Sequence, residues 1–164
     1  MRTANTYLAR QDQSRWDWHA IGEAESHIVR FATARTVGRY QLEAALQSAH
    51  VYRCRSGTAN WDDIVRLYDV LQTQVVDSLV VSLNRAIAIG NQDGPDAALR
   101  LLDALATDDR MTSYQPYWAA RADTLATLGR TADAVTAYDR AIGLERDEAV
   151  RRYLARQREV ARAH

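Results

Sequence analysis

Not one lysine occurs in this 164-residue chain; all 21 basic side chains are arginine. The absence excludes lysine chemistry: no Schiff base, no phosphate-loop lysine, no Ser-x-x-Lys dyad. It also points to a GC-rich bacterial genome. Cysteine is reduced to Cys54, which excludes a disulfide framework and a Cys-rich zinc site. Proline occurs at Pro95 and Pro116 alone, with seven glycines, and β-branched runs are short. A chain so poor in breakers favours helices. Net charge is missing as well, since 21 acidic side chains balance the 21 basic ones. Proteins that grip phosphate carry a basic excess or stripe, so composition argues against direct nucleic-acid contact. The longest apolar runs, such as SLVVSL, are far too short to span a bilayer. The N-terminal MRTANTYLARQDQ lacks the apolar core of a signal peptide. The expected location is the cytoplasm, with no membrane partner.

What is present is an ordinary globular composition, 47% apolar and 26% charged, in a length that suits one domain. Boundary signals cut it into helices. Ser14, with Asp17 three residues on, opens a first helix carrying Trp16, Ile21, Ala24, Ile28, Val29 and Ala32 at roughly helical spacing. A second helix is predicted from about Tyr40 to Arg53, followed by a loop, RSGTAN. Asn60 is placed to cap a third helix, which runs through about Leu71. A fourth covers roughly Ser78 to Gly90 and meets NQDGP, read as a turn. Pro95 opens the fifth, to about Leu105, and TDDRMTSYQ reads as a loop. Pro116 opens the sixth and Gly129, in LGR, ends it. Thr131 is placed to cap the seventh, and Asp147 a last amphipathic helix with Val150, Tyr153, Leu154 and Val160 on one side.

Paired helices with short turns prompt a search for repeats, and a shift of 36 lays the chain on itself. Ala86 meets Ala122, Ile89 meets Leu125, Ala98 meets Ala134, Leu102 meets Tyr138, Leu105 meets Ala141, and Arg85 meets Arg121. NWDDIVRLYDVL supplies an earlier second helix, with Trp61, Ile64, Tyr68 and Leu71 in equivalent places. Alanine recurs where leucine is expected because small residues let two antiparallel helices approach closely. One such hairpin cannot bury its apolar face alone, and stacking completes the core.

The stretch Trp118–Leu144 resembles the tetratricopeptide repeat, with Trp118, Leu125, Leu128, Gly129, Ala134, Tyr138 and Ala141 on that motif's large-small-large signature. Arg121 and Ala122 stand where the motif prefers leucine and glycine. The whole chain resembles something narrower: the C-terminal tetratricopeptide-like extension of extracytoplasmic-function (ECF) RNA polymerase sigma factors. The matching stretches, in order, are QDQSRWD, YQLEAAL, WDDIVRLYDVL, LNRAIA, DGPDAALRLLDAL, PYWAARADTLATLGR and DEAVRRYL. Trp118 takes the place of an expected histidine, and the link from Leu71 to Leu83 lacks expected prolines.

The resemblance implies an all-α fold of antiparallel hairpins stacked as a right-handed superhelix, about three hairpins with one flanking helix at each end. Residues 1–13 are then an arm and 14–164 a single repeat domain. It implies a non-catalytic role in transcription initiation, in place of a separate anti-sigma partner. The partners would be the promoter-reading domains of the sigma factor in cis, or polymerase core. The alternative is a free-standing adaptor that binds a peptide of another protein.

Several residue sets are candidate sites. His19, Glu23 and His27 share one helix face at metal-ligand spacing, but no HExxH and no further ligand accompany them, and an exposed polar face explains them. His50 and Cys54 lie one turn apart without an orienting group or an oxyanion site. No glycine-rich phosphate loop or Gly-x-Ser-x-Gly elbow occurs, so neither catalysis nor a cofactor is expected. Arg85 and Arg121 occupy the first helix of successive hairpins, where the repeat motif is apolar. A buried arginine needs a partner. One reading is an internal salt-bridge ladder with Asp103, Asp123 or Asp139. The other is a basic strip facing a peptide groove, joined by Asn84, Ile87, Asn91, Tyr117, Trp118, Ala119, Asp123 and Thr127. In the second reading Tyr117 is the aromatic anchor.

Overall fold

The computed structural model describes residues 38–56 and 60–163, with the side chains of 52–56 excepted. The predicted first helix, with His19, Glu23 and His27, lies outside the described residues, as does the side chain of Cys54. Among the described residues the fold is all-helical, with no strand. The helices are α1 (Arg39–Ser56), α2 (Trp61–Gln74), α3 (Leu79–Asp93), α4 (Pro95–Leu105), α5 (Gln115–Thr127), α6 (Thr131–Leu144) and α7 (Glu148–Arg162).

Local chemistry explains most boundaries. Asp147 caps α7 through its carboxylate, which accepts from the amides of Ala149 and Val150. Gly129 ends α5 at a φ of 71°, where its amide donates to Ala126 O and the Arg130 amide to Leu125 O, the paired bonds of a Schellman termination. Gly94, at a φ of 95°, is the whole junction between α3 and α4, and Pro95 starts α4.

Four local expectations are corrected. The turn NQDGP shrinks to its glycine, because Asn91, Gln92 and Asp93 extend α3, with the Asn91 amide donating to Ile87 O. Asn60 holds the position before α2 but does not cap it with its side chain, whose Nδ2 donates instead to Ala49 O at 3.2 Å. Thr131 is already inside α6, and Arg130 precedes it with its guanidinium on Asp133. The loop TDDRMTSYQ contains a 3-10 turn, Asp109–Ser113, that buries Met111.

The chain divides into two compact units, Met1–Arg85 and Ala86–His164. In the first, α1 packs on α2, and Leu42, Leu46, Ile64, Tyr68, Leu71, Val81 and Leu83 are buried. His50 is buried beside them, its ring edge-on to Trp61 at 6.3 Å.

In the second unit each helix packs on its neighbour: α4 on α5, α5 on α6, α6 on α7. The three-residue link from α5 to α6 forces the pair to run antiparallel. The core is Leu99, Ala122, Leu125, Ala134, Ala137, Tyr138, Ala141, Leu154 and Ala161. More than half of that set is alanine, so the helix backbones approach closely and Tyr138 and the leucines fill between them. On α6, Ala134, Ala137, Tyr138 and Ala141 follow the i, i+3, i+4, i+7 pattern of one buried face. Val160, predicted on the packed side of α7, is 53% exposed, and its neighbour Ala161 is buried instead.

Candidate functional site

The two arginines singled out by the repeat belong to a set of three. On α3, Arg85 Nε meets Asp69 Oδ1 of α2 at 2.6 Å, within the first unit. On α5, Arg121 Nη1 meets Asp103 Oδ1 of α4 at 2.5 Å. On α7, Arg158 Nη1 pairs with Asp139 of α6. Every rung joins one helix to the helix immediately before it in the chain. The arginines are spaced by 36 (85 to 121) and 37 (121 to 158) residues. One turn before each stands a buried side chain, Val81, Tyr117 or Leu154. The guanidinium side chains are 28%, 22% and 26% exposed, so all three hold the same half-buried depth.

At Arg121 burial is the largest single influence and works against the charge, but the hydrogen bonds and charge interactions with Asp103 and Tyr117 together outweigh it and the pKa is raised. Arg121 Nη1 also donates to the Tyr117 hydroxyl at 3.3 Å, and that hydroxyl donates to Leu102 O at 3.2 Å. Tyr117 is 2% exposed. Burial pushes its phenol up, against the opposing pull of Arg121.

The groove reading is thereby corrected at its centre. Tyr117 is a core residue, its ring inside the unit and its hydroxyl held by a carbonyl and a guanidinium, and it offers no aromatic anchor to a ligand. The charges of Arg85 and Arg121 are met internally. Trp118 is half-buried: its Nε1 donates to Thr112 O at 3.2 Å, its edge packs on Tyr117, and the Arg140 guanidinium lies 5.7 Å above its ring.

The remaining groove candidates fall in both units. Asn84 and Arg85 fall in the first unit; Ile87, Asn91 and the α5 residues fall in the second. Asp123 accepts from the Tyr138 hydroxyl across the α5–α6 hairpin, and Thr127 Oγ1 donates back to Asp123 O. Asn91 and Thr127 are exposed, Asn84 and Ile87 partly buried.

Among the described residues no group of three His, Cys, Asp or Glu is placed to hold a metal ion, and no helix is long and apolar enough to cross a membrane. Sequence reasoning missed Asp69 and the Arg158 rung. The signal was present: an aspartate follows the buried large residue in each second helix, as Tyr68-Asp69, Leu102-Asp103 and Tyr138-Asp139.

The chain is similar to an uncharacterized protein of Rhizobium meliloti (strain 1021), at 35% identity over 150 residues. The match takes in 92% of this chain and 35% of that protein, so the chain spans about a third of that relative's length. No family model matches the chain, and no solved structure matches it.

Proposed function

We propose that this chain is a non-catalytic, tetratricopeptide-like regulatory module of an ECF-type RNA polymerase sigma factor. It acts in the cytoplasm, in transcription initiation, by contact with the promoter-reading domains or with polymerase core. The observation that carries the reading is the rung repeated in register across three helix pairs. It supports a stacked-hairpin scaffold, and such scaffolds present extended surfaces to protein partners. The ordered run of sigma-extension stretches from QDQSRWD to DEAVRRYL supplies the sigma assignment. The cancelling charges favour protein over nucleic acid as the partner.

The test combines the purified chain with the promoter-reading domains of an ECF sigma factor and with polymerase core. Binding to either, together with a several-fold change in transcription from a target promoter, is the expected result. No binding to either and unchanged transcription would remove the sigma assignment.

A further inference from the structure

Asp93–Gly94 is the one aspartyl–glycyl bond in the sequence, and no asparaginyl–glycyl bond occurs. Such a bond has its own chemistry. The nitrogen after the aspartate can attack the side-chain carboxyl, and glycine has no side chain to hinder the approach. Here the bond lies at a tight place in the fold. Asp93 is the last residue of α3 and is exposed, and Gly94 is the whole junction to α4. A Cβ built on Gly94 would meet nothing within 4 Å, so the approach is open. The fold opposes the reaction in two ways. The Gly94 amide donates to Gly90 O at 3.1 Å, which engages the proton that the nitrogen must lose. Helical side chains also lean toward the helix N-terminus, which turns the Asp93 carboxyl away from the nitrogen that follows it. Both restraints belong to the last turn of α3, and helix ends open locally at small cost.

We propose that Asp93–Gly94 is a latent isoaspartate site, closed by the last turn of α3 and converted when that turn opens. The Gly94 nitrogen forms a bond to Asp93 Cγ. A carboxyl oxygen leaves as water, taking the amide proton and the acid proton, and a five-membered succinimide remains. Hydrolysis then returns one water. Opening the ring at the Asp93 main-chain carbonyl leaves the peptide running through Cγ, with a free α-carboxylate; opening it at Cγ restores aspartate. Nothing is oxidised or reduced, and water is the only reactant. Conversion puts one extra carbon into the main chain at a junction without slack. Gly94 O accepts from the amides of Ala97 and Ala98 at 3.1 and 3.4 Å and so starts α4. Gly90 leaves no room for a Cβ against Ala98, and Ala97, Ala98 and Leu99 are all buried just past the junction. A lengthened link breaks this register, so a brief opening becomes a lasting change in the α3–α4 hairpin. The proposal does not depend on the sigma assignment.

The test ages the full chain in neutral buffer below its melting temperature, beside a free peptide of residues 87–100. Isoaspartate is counted by enzymatic methylation of its α-carboxylate and placed by fragmentation mass spectrometry. A succinimide shows as a mass lower by one water. The product is expected at Asp93 ahead of every other aspartate, and several-fold more slowly in the chain than in the peptide. Gly90→Ala, which forces α3 and α4 apart, is expected to speed conversion several-fold over the parent. Where that variant does not fold, the parent in rising sub-denaturing urea takes its place, and the rate should climb with urea. Asp93→Glu, whose side chain is one methylene too long for the five-membered ring, is expected to remove the product. The converted fraction of the parent, separated from the rest, is expected to melt earlier. The proposal is overturned by equal rates in chain and peptide, by isoaspartate concentrated at another residue, by no acceleration in Gly90→Ala or in urea, or by a converted fraction that melts with the parent.

Discussion

A methyl group on Gly90 would lie 2.6 Å from the Cβ of Ala98, closer than real Cβ atoms approach. Gly90 is on α3 and Ala98 on α4, so the contact sets how near the two helices lie. In a free helix, glycine to alanine gains about 1 kcal/mol of propensity. Here the neighbour is a side-chain stub fixed to its backbone, so the helices must separate. Gly90→Ala is expected to destabilise by about 1–3 kcal/mol, read from the urea midpoint. Stabilisation would show that the α3–α4 crossing is looser than described.

Ala134 is fully buried in the α5–α6 hairpin. Ala134→Leu adds volume where no space exists and is expected to cost roughly 1–3 kcal/mol. The same measurement checks it, with Ala132→Leu on the exposed side of α6 as the control that stays near neutral.

Tyr117→Ala should empty a core site and cost about 3–5 kcal/mol, the range for large buried aromatics. Tyr117→Phe keeps the ring and loses the hydroxyl's two hydrogen bonds, for about 1–2 kcal/mol. A Tyr117→Ala protein with an unchanged melting temperature would restore Tyr117 to the surface.

The rung Arg121–Asp103 is expected to couple by only about 0.5–1 kcal/mol in a double-mutant cycle with alanine, because its carboxylate is half-exposed. The coupling should shrink in salt of roughly 1 M, where screening acts over about 3 Å. Arg121→Ala alone is expected to cost more than Asp103→Ala, because it also strips the Tyr117 hydroxyl of a partner.

Tyr68 predicts an alkaline limit. Burial pushes its phenol up to about 12 from an ordinary value near 10. The folded-state pKa is the higher one. Its contribution is therefore fully present below pH ~10 and is lost as pH rises toward ~12, up to about 2–3 kcal/mol in all. Stability of the parent should fall across that window more steeply than that of Tyr68→Phe, as followed by chemical denaturation at stepped pH.

Local and periodic features were legible in the amino-acid order alone. The helical class follows from scarce breakers and from apolar spacing. The stop at Gly129 follows from a residue that takes positive φ without steric cost, and the start at Asp147 from a carboxylate placed to take two free amides. The buried alanines at 86, 98, 122 and 134 follow from the repeat, because a position recurring at a fixed period meets the same neighbour each time. What the tertiary structure decided is where a residue of double character goes. Tyrosine is apolar in its ring and polar at its tip, and composition cannot say which end wins. Tyr117 is buried because Leu102 O and Arg121 are there to take its hydroxyl. Asn60 and Thr131 had capping chemistry, but one turned to Ala49 O and the other fell a residue inside its helix. Arg85 found Asp69 on the helix before it because the partner of a half-buried charge is set by which helix packs alongside, a relation between segments that no single segment encodes.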